Sequence, residues 1–165
     1  MPQELKLQEA LKQAIHAKKN LMDFYLKAAE VNKNPAGKKV LERLASEVRE
    51  NVARFFDYYK GSDLGAFDAF INAPPHPDSA MLVSLQKTLS DNMSECKVRE
   101  LAMKEEEDME KTFTMLAQKV IDPMARAVLE QVAKETRNHY AIIESEYART
   151  MGMVHETDID TYVRE

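Results

Sequence analysis

Four residues of this 165-residue chain invite chemistry by type and spacing: Lys18, Asn51, Glu106 and His139. Glutamate and histidine meeting inside a helical bundle are a start on a divalent-metal site, since carboxylate and imidazole both ligate such ions. A lysine brought to the same glutamate neutralises it without any cofactor, and an unpaired buried charge would cost about 3–5 kcal/mol. Each of the four falls on the apolar stripe of a predicted helix. The first stripe reads Leu7, Leu11, Ala14, Lys18, Leu21, Tyr25, Ala28, and the second reads Leu41, Leu44, Val48, Asn51, Phe55, Tyr58. The third reads Ala102, Glu106, Met109, Phe113, Leu116, and the fourth Leu129, Val132, Thr136, His139, Ile143. Alternating three- and four-residue spacing puts each set on one face of a helix, so all four polar groups are predicted to point inward.

The positions are related by an internal repeat. Pro35, Val40, Leu41, Glu42, Ala45, Glu47 and Arg49 recur 88 residues later as Pro123, Val128, Leu129, Glu130, Ala133, Glu135 and Arg137. One helical hairpin is thus used twice, and the copies have diverged where chemistry would occur. Lys18 corresponds to Glu106, Asn51 to His139 and Val48 to Thr136.

Helices are predicted over about 4–33, 35–59, 92–120 and 123–150. Asn34-Pro35 and Asp122-Pro123 each supply an N-cap residue followed by proline in the first turn. Gly61 and Gly152 read as C-terminal stops. Residues 61–80, with Gly61, Gly65, Pro74, Pro75 and Pro77, read as a crossover whose Leu64, Phe67, Phe70 and Ile71 form a short helix over one end. Met81, Leu82, Leu85 and Leu89 belong either to an early extension of the third helix or to a separate short one. The expected fold is all-α: one domain over 1–165, with hairpins at 4–60 and 81–150, the crossover at 61–80 and a tail at 151–165. Two antiparallel hairpins joined by a long crossover make a ferritin-like four-helix bundle.

Composition narrows the function. A formal charge of −5 and a pI near 5.5 leave no basic footprint for nucleic acid. The single cysteine, Cys96, excludes an internal disulfide framework and a C-x-x-C metal knuckle. With no apolar stretch long enough to span a bilayer and no apolar leader, the expectation is a soluble cytoplasmic protein.

The doubled hairpin, the Phe24-Tyr25 pair, the Leu-Ala-x-Glu-x-Arg-Glu run at 44–50 and its echo Val-Ala-Lys-Glu-Thr-Arg-Asn-His at 132–139 resemble the rubrerythrin branch of the ferritin-like di-iron carboxylate superfamily. The resemblance covers about residues 5–150. It implies a glutamate from each first helix and a Glu-x-x-His from each second helix, together holding two irons. Carried over by position, the pattern keeps Glu106 and His139. The other ligand positions are replaced by Lys18, Val48, Asn51 and Thr136. Valine offers no donor atom, and an ammonium group repels cations.

Three functions follow. The first is a rubrerythrin-like bundle with a depleted di-iron site, structural or partner-binding, with a Lys18–Glu106 ion pair supported by Asn51 and His139 and no cofactor at full occupancy. The second is an iron oxidoreductase that reduces peroxide or oxidises ferrous iron, with ligands recruited from Glu47, Glu105, Glu106, Asp108, Glu135 and His139. The third is a mononuclear metal-binding or metal-sensing protein that holds iron or another divalent transition metal on Glu106 and His139 with water, Glu135 being the further candidate ligand. A homodimer is the expected assembly. Any redox activity needs an external electron donor, because rubredoxin-type cysteines are missing. His16, His76 and His155 lack ligand spacing, Glu47 and Glu135 are expected to pair with Arg49, Arg137 or lysines, and the 10 methionines read as core fillers.

Overall fold

The computed structural model describes residues 2–77, 79–90, 95–147 and 149. Its elements are α1 (Pro2–Val31), α2 (Pro35–Tyr58), α3 (Phe67–Ile71), α4 (Ala80–Ser90), α5 (Glu95–Lys119) and α6 (Pro123–Ala141), followed by a π-helical segment at Ile142–Tyr147. The hairpins α1–α2 and α5–α6 pack against each other as a ferritin-like bundle, and no strand occurs among the described residues.

Both hairpin turns are built as their sequences dictate. The Asn34 side chain accepts from the backbone N–H of Ala36 at 2.9 Å and of Gly37 at 3.3 Å, and Asp122 Oδ1 accepts from Met124 N–H at 3.0 Å. Each cap satisfies amides that the first turn leaves without a helical acceptor, and the proline that follows lacks one to satisfy. The predicted stripes form the core: Leu21, Leu44, Val48, Phe55, Val132 and Thr136 are all fully buried. Each large apolar side chain so buried contributes about 1.5–3 kcal/mol. Phe55 and Phe113 join the hairpins with ring centroids 5.4 Å apart.

Two helix ends depart from expectation. Gly61 does not stop α2 in a left-handed conformation; the chain leaves through Tyr59 in extended geometry, and Gly65 is the glycine with positive φ, at 74°. A side chain at Gly61 would collide with the Tyr59 hydroxyl, which donates to Asp63 at 2.7 Å. The fourth helix does not run as α-helix to residue 150. Its α-helical part ends at Ala141 and it widens into the π-helical segment, which carries Tyr147 inward so that its hydroxyl accepts from Asn32 Nδ2 at 3.2 Å. Gly152, His155 and the tail lie outside the described residues, as do residues 91–94 between α4 and α5.

The crossover helix forms as its apolar pattern predicts. Phe67 and Phe70 of α3 both pack on Phe56, with centroids 5.3 Å away, and Ile71 is buried. The crossover is also tied to α1 by a buried cation. Lys19 Nζ donates to Asp23 at 2.5 Å and to the carbonyl of Ala73 at 3.0 Å.

Candidate functional site

The inward polar layer lies midway along the bundle, where Lys18 of α1, Asn51 of α2, Glu106 of α5 and Thr136 and His139 of α6 are all buried. Lys18 is entirely inaccessible, enclosed by a stripe whose neighbouring members, Ala14, Leu21 and Tyr25, are buried as well. Its ammonium donates to Thr136 Oγ1 at 3.0 Å and stands over the Phe113 ring, 5.2 Å from the centroid. The Thr136 hydroxyl spends its one proton on the Val132 carbonyl at 2.7 Å. Its lone pairs are therefore free to accept from a cation. Burial pushes the Lys18 amine below the ordinary lysine range, while the carboxylates of Glu106 and Glu135 oppose that shift.

Glu106, also fully buried, is held differently from expectation. Its Oε1 accepts a 2.6 Å hydrogen bond from the Tyr25 hydroxyl, and the expected direct contact with Lys18 is not formed. The two side chains reach past each other: Lys18 extends across the bundle to α6, and Glu106 reaches back to α1. The lysine field still acts on the carboxylate without a shared hydrogen bond. Burial first, and Glu106 second, push the Tyr25 hydroxyl well above the ordinary phenol range, so Tyr25 is a neutral donor.

The imidazole of His139 sits between two carboxylates and hydrogen-bonds neither. Nδ1 is 3.7 Å from Glu106 Oε2, and Nε2 is 3.4 Å from Glu47 Oε1. Both ring nitrogens, Glu106 Oε2 and Asn51 Oδ1 are buried without a hydrogen-bond partner. Asn51 does not brace a lysine–glutamate pair; its Nδ2 approaches Glu135 Oε2 at 3.4 Å.

The remaining candidates divide by face. Glu135 is bound to Arg54 of α2 in a close ion pair, not to Arg137, which joins Glu110 at 2.7 Å. Glu47 accepts from Arg43 at 3.1 Å, while Arg49 lies over the Phe67 ring. Glu105 and Asp108 face a groove between α1 and α5, away from His139. His16 is exposed and edge-on to Phe70. Among the described residues, no group of three or more His, Cys, Asp or Glu is arranged to hold a metal ion.

A two-iron centre does not fit this donor set. Val48 contributes only carbon, Lys18 brings a positive charge to the first-hairpin half, and Thr136 is already committed to Val132 and Lys18. The second-hairpin half retains a carboxylate oxygen and an imidazole, both unpartnered.

The rubrerythrin family model matches residues 78–147, which spans α4, α5, α6 and the π-helical segment. Over those residues the chain is similar to rubrerythrin. The match holds the half of the layer that keeps Glu106 and His139, whereas Lys18 and Asn51 lie outside it. Over the whole bundle, the chain is similar in structure to a hypothetical protein from Pyrococcus furiosus. The two are 24% identical with a TM-score of 0.63, over 90% of this chain and 93% of that one. No curated protein matches the sequence.

Two parts of the site escaped sequence reasoning. Tyr25 reads as core by spacing, yet its hydroxyl is the partner of Glu106. The Lys19–Asp23 pair is a four-residue lysine-to-aspartate spacing, usually a solvated helix face; only the crossover laid over α1 buries it. Arg54, three residues after Asn51, carried a readable signal because it shares the face that meets Glu135.

Proposed function

We propose that this rubrerythrin-like bundle is a structural or partner-binding protein in which Lys18 supplies, from the chain itself, the positive charge that metal ions supply at the corresponding place in the family. The observation that carries this reading is the wholly buried Lys18 ammonium on Thr136, standing at a ligand position of the family pattern. A fixed cation stabilises Glu106 without a cofactor and removes the need to load or retain iron. Self-association through an exposed helix end and a cytoplasmic setting belong to the same reading. Ile121 and Met124, 74% and 68% exposed at the α5–α6 turn, are apolar groups that a second copy would cover. Among the described residues, no helix is long and apolar enough to cross a membrane.

A second reading rests on the unpartnered atoms. Glu106 Oε2 and His139, with Glu47 3.4 Å from the imidazole, are the remnant on which one divalent ion would bind. Metal analysis of protein purified from iron-supplemented cells, followed by ferrous titration in air, decides between the two. Metal well below one equivalent, with no near-ultraviolet oxo-bridge band, supports the lysine-compensated bundle. One equivalent that disappears in His139→Ala supports the second reading. Two equivalents with the oxo-bridge band would refute both.

A further inference from the structure

The groove between α1 and α5 has a volume of about 510 Å³, inside the range of small-molecule sites, and grooves between bundle helices are a common place for such sites. Its wall is largely apolar, with Ala14, Ala17, Met81, Met109 and Leu116 among its lining. Along α1 it runs from Ala10 to Asn20, which is about 15 Å at the helical rise per residue and matches an extended chain of roughly a dozen carbons.

Among the polar groups on this wall, Glu105 and Ser79 are unused. Glu105 is half-buried and has neither a hydrogen bond nor an ion pair among the described residues. Ser79, only 5% exposed, lines the same groove with an Oγ that has no partner. The other carboxylate lining the groove among the described residues, Asp108, is exposed and already carries Lys104 at 3.1 Å. A partly desolvated carboxylate beside an apolar trough is complementary to a cationic head on an aliphatic chain.

We propose that the α1–α5 groove binds an amphiphilic primary amine, its alkyl chain along the alanine and methionine wall and its ammonium on Glu105, with Ser79 offering a further hydrogen bond. The groove shares the Phe113 ring with the Lys18 layer, but Lys18, Glu106 and His139 do not line it, so the proposal does not rest on whether the core takes up metal.

The test is calorimetric titration of the full chain with dodecylamine, dodecanol and dodecanoate, each below its aggregation concentration. Dodecylamine should bind saturably and about tenfold or more tighter than dodecanoate, the size of one charge-assisted contact. Glu105→Gln, which keeps the side-chain shape, should reduce the amine to the affinity of dodecanol. Ala17→Phe and Ala10→Phe, at half-buried positions, should block all three ligands while the helical melt stays cooperative. Equal binding of amine and carboxylate, an amine preference that survives Glu105→Gln, or binding that survives both phenylalanine variants in folded protein would overturn the proposal.

Discussion

Replacing Lys18 by methionine removes the charge while keeping most of the volume, and it exposes the electrostatics of the layer. In the variant, Glu106 remains fully buried with one donor, Tyr25, and no compensating cation. Breaking a buried charge arrangement from one side costs about 3–5 kcal/mol, a large part of the roughly 5–15 kcal/mol that holds a domain together. Glu106→Gln should cost a similar amount, because it strands the Lys18 ammonium on Thr136 and Phe113 alone. The double variant retains neither charge and should lose less than the two single losses combined. Two unit charges 4 Å apart at an effective dielectric of 20 interact by about 4 kcal/mol, and these groups are not in direct contact, so a coupling of about 1–3 kcal/mol is expected. Urea unfolding of the four proteins, followed by helical circular dichroism, gives that coupling directly. Losses additive within about 0.5 kcal/mol would refute the compensation argument.

The Lys18 amine is depressed by burial in the folded chain, while in the unfolded chain it titrates near 10.5. Between those two values the unfolded state binds more protons, so stability should rise with pH across that window. Urea midpoints of the native chain should therefore gain on those of Lys18→Met as pH rises toward 10.5, and a constant difference would contradict the lowered titration of the buried amine. Tyr25→Phe keeps the ring and removes the donor to Glu106; thermal melts should show a loss of about 1.5–3 kcal/mol, and a loss under about 0.5 kcal/mol would show the hydrogen bond to be unimportant. Lys19→Met leaves Asp23 buried without its cation and the Ala73 carbonyl without that donor. It should cost about 3 kcal/mol and speed proteolysis within the crossover, and an unchanged cleavage rate would place the anchoring elsewhere.

Much of the layer was legible because helical periodicity fixes which way a side chain points. Lys18, Asn51, Glu106, Thr136 and His139 are buried where their stripes require. The caps at Asn34 and Asp122 follow from residue type and the adjacent proline. Periodicity does not say which neighbour a long side chain reaches. Lys18 has the length to span the bundle, and it ends on Thr136 although Glu106 Oε2 is left without a partner. The π-helical segment was equally hidden, since Ile142–Tyr147 carries no breaker that marks a change of helical pitch.

The central claim, that a lysine holds the place of metal in the first-hairpin half of the layer, is tested most directly by iron-edge anomalous diffraction from crystals grown with ferrous iron in excess. The account predicts clear density for the Lys18 side chain ending on Thr136, and no anomalous peak on the side of the layer formed by Lys18, Val48 and Asn51. Two peaks bridged by Glu106, with Lys18 displaced, would contradict it.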